Sequence, residues 1–157
     1  MATLSELEVI LEENEIELNK PKIDAEEQLQ LAKQSLASLE NQKAIESLFL
    51  IIDSDTDNRD LLSEAYYLLG RTNFIENNTV DSVKFFGIRH RDFPEISRFK
   101  GENYFWLGRS LFAIGDQENG CLIMEDIIFS DEYLNSSEVI QDSKALQAEQ
   151  ECGLIIN

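Results

Sequence analysis

Residues 66–71 read Tyr-Tyr-Leu-Leu-Gly-Arg, and 38 positions on, residues 104–109 read Tyr-Phe-Trp-Leu-Gly-Arg. The same interval back from Leu69 reaches Leu31-Ala32-Lys33. The register holds outside this stretch. Gln28, Tyr66 and Tyr104 correspond, as do the small residues Ala44, Ser82 and Gly120 and the large apolar residues Leu48, Phe86 and Met124. Three copies at one interval predict an array in which each unit buries its apolar face on its neighbours.

Each copy divides into two helices. Apolar residues recur at helical spacing, as at Leu68, Leu69, Phe74 and Ile75 and again at Val83 and Phe86. The pattern predicts first helices over 25–40, 62–76 and 100–114, and second helices over 42–52, 79–90 and 117–129. Polar turns at Asn41-Gln42, Asn77-Asn78 and Gly115-Asp116 part the members of each pair, with Thr79 and Asp116 as candidate N-caps. No stretch alternates with period two for long enough to be a strand. A last helix over 137–151 ends near Gly153.

These residues resemble the tetratricopeptide repeat (TPR) family, whose pattern is an aromatic, Leu-Gly, a small residue, a large apolar residue and a late Pro. The second copy carries Tyr66, Leu69, Gly70, Ser82, Phe86 and Pro94. The third carries Tyr104, Leu107, Gly108, Gly120 and Met124, with Glu132 in place of the Pro. The first keeps Leu31, Ala44 and Leu48, with Gln28 and Ala32 replacing the aromatic and the Gly. The interval of 38 departs from the family's usual length of about 34, and the extra residues fall in links near 53–60 and 91–98. Repeats with such links, and Asp92-Phe93-Pro94 ahead of Asn103-Tyr104-Phe105-Trp106-Leu107-Gly108, are similar to the C-terminal repeat domain of the periplasmic Tol–Pal coordinating proteins. Size, charge and repeat number also resemble the small acidic TPR chaperones of type III secretion.

The resemblance implies an all-α, right-handed solenoid of three helix pairs. Its parts are an N-terminal helix in 1–24, repeats over about 25–60, 61–98 and 99–134, and a capping helix and tail in 135–157. It also implies that the first helices line a concave face. Four registers then point into that face: Glu26, Glu64 and Glu102; Leu29, Tyr67 and Phe105; Lys33, Arg71 and Arg109; Leu36, Phe74 and Phe112. The implied partner-binding residues are Lys33, Tyr67, Arg71, Phe74, Phe105, Arg109 and Phe112. Bases flanked by apolar surface suit an acidic-hydrophobic peptide, through Arg–carboxylate bonds and aromatic anchors. The competing reading pairs each base with a Glu of a neighbouring helix and spends the aromatics on packing between repeats.

Composition narrows the classes. The chain has 157 residues, 43% of them hydrophobic, enough for one domain with a packed core. Its 31 acids against 13 bases, net −18, argue against non-specific nucleic-acid binding and against docking on anionic lipid. The charge is uneven: residues 71–109 hold seven bases and five acids between two strongly acidic ends. Two Cys and one His exclude a zinc site built from four such ligands and a disulfide-rich scaffold. Cys121, Cys152 and His90 have no catalytic motif around them, and no phosphate-binding Gly loop or serine elbow occurs. The expectation is a non-catalytic adaptor or scaffold without cofactor or metal. A chaperone for a secreted or assembling protein, or an accessory subunit of an enzyme, are the alternatives.

Two further segments carry expectations. Leu4, Leu7, Leu11 and Leu18 fit a heptad with Asn14 at the remaining inner position, ended by Pro21. This segment reads as a cap on the first repeat in a monomer, with a dimer through residues 1–20 as the alternative. Asp53-Ser54-Asp55-Thr56-Asp57-Asn58 with Glu64 has the acid spacing of a calcium loop, with Asn58 at the turn. Asp60 falls where that loop places an apolar residue, so a solvated link is the preferred reading. The acidic N-terminus does not read as a secretory signal. The expected compartment is the cytoplasm for a full-length chain and the periplasm for a domain of a longer one.

Overall fold

A computed structural model describes Thr3 and residues 22–153. The expected N-terminal helix, its heptad and residues 154–157 lie outside the described residues. Within them are α1 (Ala25–Ala37), α2 (Asn41–Ile52), α3 (Arg59–Ile75), α4 (Thr79–Asp92), α5 (Lys100–Ala113), α6 (Gln117–Phe129) and α7 (Ser137–Glu149), with one 3₁₀ turn at Asp131–Tyr133 and no strand. Each helix packs on the next, and α1, α3, α5 and α7 also touch in succession as one row.

Local chemistry sets the helix ends. Asp24 opens α1 by accepting the N–H groups of Glu26 and Glu27 at 3.0 and 3.2 Å, and both acids favour the positive end of the helix dipole. Asn58 caps α3 and Asp116 caps α6 in the same way. Thr79 is not a cap; it is the first residue of α4, behind Asn78. The helices of the row share one ending. The N–H groups of Glu40, Asn78, Asp116 and Cys152 reach back to the carbonyls of Ser35, Asn73, Leu111 and Gln147 at 2.8–3.0 Å. The residue before each donor lies at positive φ: Leu39, Asn77, Gly115 and Glu151. The first turn therefore sits at Ser38–Glu40, ahead of the expected Asn41-Gln42, which open α2.

The core is a chain of contacts between layers. Leu29, Ala32, Leu48, Ile51, Leu69 and Phe85 form one end; Phe86, Phe105, Met124, Ile127, Tyr133 and Leu146 form the other. Adjacent Phe85 and Phe86 place α4 between the two. The repeated glycines lie at helix crossings: a Cβ on Gly70 would stand 2.5 Å from the Phe86 ring, and one on Gly108 2.4 Å from Met124 Cε.

The long link between α4 and α5 is organised by Arg89. This side chain is 1% exposed and donates to the carbonyls of Phe93, Ile96 and Arg98 at 2.7–2.9 Å. Phe93 packs inward beside Tyr66, and Phe99 stacks on Tyr67 at 4.7 Å. A cation folded onto three carbonyls holds the longer link in one shape. Burial lowers the pKa of Arg89.

Candidate functional site

The bases of the middle zone divide by what they meet. Three find carboxylates: Arg91 on Asp92, Lys100 on Glu132, and Arg98 on Glu64. Lys33 joins the last pair, with its Nζ 2.7 Å from Glu64 Oε1, while Arg98 lies 3.3 Å from Oε2. Glu64 is buried, so both its oxygens are committed to these cations. Lys33 is therefore bound to the neighbouring helix, as the competing reading has it. The calcium-loop pattern also dissolves here: Asn58 sits at φ −72° as the cap of α3, and its distal Glu64 faces Lys33 and Arg98.

Arg71 and Arg109 behave differently. Among the described residues no carboxylate lies within 4.0 Å of either guanidinium. Both instead lie over Trp106, Arg71 at 4.0 Å and Arg109 at 5.1 Å from the ring centroid. Phe74 meets the same indole edge-on at 5.2 Å. Arg71 also donates to Tyr67 Oη at 3.0 Å, and its buried Nε has no hydrogen-bond partner. The repeat explains why Arg109 differs from Lys33. The acid answering Lys33 is Glu64, 31 residues on; the same step from Arg109 reaches Ile140, while from Arg71 it reaches Glu102, which lines the same cavity without an ion pair to Arg71.

Where α3, α5 and α7 meet, a cavity of about 420 Å³ opens beside these two arginines. Tyr67, Phe105 and Trp106 form its apolar floor, with Val139 and Leu146 from α7. Glu102 and the α7 carboxylates Glu138, Asp142 and Glu149 complete the wall. α7 thus buries Val139, Ser143 and Leu146 and turns an acidic stripe toward the arginines. Its far end is fixed on α6 by the Cys121–Cys152 disulfide and by Gln117, which donates to the Gln150 carbonyl at 2.5 Å.

The seven expected site residues separate accordingly. Tyr67, Arg71, Phe105 and Arg109 line one cavity, and Phe74 stands behind it against Trp106. Tyr67 and Phe105 are 6% and 7% exposed, so their rings serve chiefly as packing between layers. Phe112 stands apart, with its ring where a Cβ of Gly120 would be, between α5 and α6. Lys33 lines a separate cleft with Glu26, Asp60 and Glu64. Trp106 and the α7 carboxylates were not anticipated. Trp106 falls one position after the Tyr67–Phe105 register and has no aromatic counterpart at Leu68. The stripe Glu138, Asp142, Glu149 is readable as i, i+4, i+11 spacing.

His90 has a structural setting. Its ring lies parallel to Tyr104 at 4.2 Å, and Tyr104 stacks in turn on Tyr133 at 5.6 Å. Burial is the main cause lowering the His90 pKa, and burial raises both tyrosines. No helix among the described residues is long and apolar enough to cross a membrane. Neither a protein-family model nor a curated protein matches this chain.

Proposed function

We propose that the protein is a non-catalytic, TPR-type adaptor that binds a segment of a partner protein in the cavity between α3, α5 and α7. In this reading the seven helices are three TPR-like pairs of a right-handed solenoid, with α7 as the cap and the α1–α3–α5–α7 row as the concave face. The observation that carries it is the pair Arg71 and Arg109, held over one indole with no carboxylate of their own among the described residues. Guanidinium groups kept in place by an aromatic face retain their donor forks for an incoming carboxylate. Lys33, Arg98 and Lys100, already paired, have no such reserve. The Cys121–Cys152 bridge favours an oxidising compartment, the periplasmic alternative.

The test is Arg71→Glu with Arg109→Glu, measured against a partner captured by photocrosslinking from a probe at Ala145, which is exposed and lines the cavity. The expected result is loss of binding by a protein that circular dichroism shows still folded. Its melting temperature falls, since the reversal gives up the Arg71–Tyr67 bond and the Trp106 contacts and adds two acids beside four others. Arg71→Gln with Arg109→Gln, which adds no acid, should weaken binding as well. Undiminished affinity would exclude the cavity as the binding site.

A further inference from the structure

We infer that the partner segment carries opposite charges, a carboxylate for Arg71 and Arg109 and a Lys or Arg for the α7 side, and is not the uniformly acidic peptide that the basic register alone suggests. The inference rests on the cavity being the binding site. It starts from the four carboxylates Glu102, Glu138, Asp142 and Glu149, which share the cavity with the two arginines. Among the described residues none of the four is in an ion pair, and neither arginine is. Opposite charges therefore line one cavity without touching. Each set keeps its hydration until something with the complementary pattern enters.

A segment bearing only acids would satisfy the arginines and meet four like charges on the same wall. That juxtaposition is strongly unfavourable once water is displaced, because the local dielectric falls. The long-range field points the same way. The chain carries net −18, so an acidic partner approaches against it and a segment with bases is drawn in. The apolar floor of Phe105, Val139 and Leu146 accommodates an aliphatic or aromatic residue between the two charges.

The experiment selects a random dodecapeptide phage library on the full chain. Wild type is expected to enrich sequences holding both an acid and a base. Glu138→Gln with Asp142→Asn, which keeps size and removes charge, should relax the need for the base and leave the need for the acid. A mixed-charge peptide chosen on wild type should bind that variant about tenfold more weakly. Thermal unfolding checks that the variant is folded; Glu149→Gln serves as the second variant if it is not. Enrichment of acid-only peptides, or a requirement for bases that persists in the α7 variants, overturns the inference and leaves the cavity standing. Peptides indifferent to Arg71→Glu with Arg109→Glu, or no enrichment at all, overturn the cavity as well.

Discussion

Gly70 and Gly108 occupy the same register and cross their partner helices equally closely, yet they face different atoms. Beside Gly70 the obstacle is the Phe86 ring, with three ring atoms within 2.8 Å of an added Cβ, and Phe86 is fully buried. A flat ring in a filled core has no second place to go. Beside Gly108 the nearest obstacle is the terminal methyl of Met124, on a side chain with three rotatable bonds, and Ile123 Cγ2 follows at 3.0 Å. Ala in place of a mid-helix Gly gains about 1 kcal/mol of propensity, against about 1–3 kcal/mol for overpacking. Gly70→Ala should therefore lower stability by about 1–2 kcal/mol, and Gly108→Ala should be within about 0.5 kcal/mol of neutral. Urea unfolding of the two single variants checks the order; a larger loss at Gly108 would mean that Met124 is the more rigid neighbour. These glycines were legible in the sequence because they recur 38 residues apart at one position of the repeat, where the first copy has the next-smallest residue, the fully buried Ala32. Leu39 was not, because its left-handed turn is made by a residue that disfavours it, 85% exposed and without the Asn or Gly found at positions 77 and 115.

At the scale of elements, α7 is the piece on which the candidate site depends most. It joins the row through Val139, Ser143 and Leu146, but its outer faces are polar and it has no following helix among the described residues. Its C-terminal end is secured instead by the Cys121–Cys152 bridge and the Gln117–Gln150 bond. The bridge closes a sequence separation of 31 residues, for which chain entropy gives about 3–4 kcal/mol of stabilisation. Cys121→Ser with Cys152→Ser should lower stability by about 3 kcal/mol and speed amide exchange across 137–150 before it does so in α1–α4. Uniformly faster exchange would show that the bridge does not restrain α7 in particular. The helices themselves were readable from periodicity to within a few residues, since each buries a continuous apolar stripe. The bridge was not, because nothing local marks two cysteines so far apart, and only the return of the chain along α7 brings them together. Arg89 was hidden for a similar reason: its partners are three carbonyls of a link whose path no side-chain pattern encodes.

The whole molecule is strongly acidic, and that sets two salt effects of opposite sign. Net −18 over 157 residues means that most charges repel most others, more so when folding draws them into a smaller volume. Among the described residues the direct pairs are few, and in the one with a buried carboxylate, Lys33 and Arg98 on Glu64, the Lys33 contact is held at 2.7 Å, well inside any screening length, while Arg98 stays exposed. Raising NaCl from about 10 mM to about 150 mM shortens the screening length from about 30 to about 8 Å, which cancels distant repulsion and spares that contact. The folded state should gain about 1 kcal/mol, a rise of about 3 °C in melting temperature. Partner binding runs the other way. In the proposed function Arg71 and Arg109 hold the partner through charges at the cavity surface, and Arg109 is exposed, so on that reading the same added salt should weaken affinity by about tenfold. Calorimetry of unfolding and of binding in one salt series reads both. A melting temperature that falls with salt would mean that attractive surface pairs outweigh the repulsion. An affinity that holds steady while stability climbs would mean that the partner is gripped by Trp106 and its apolar neighbours rather than by the arginines.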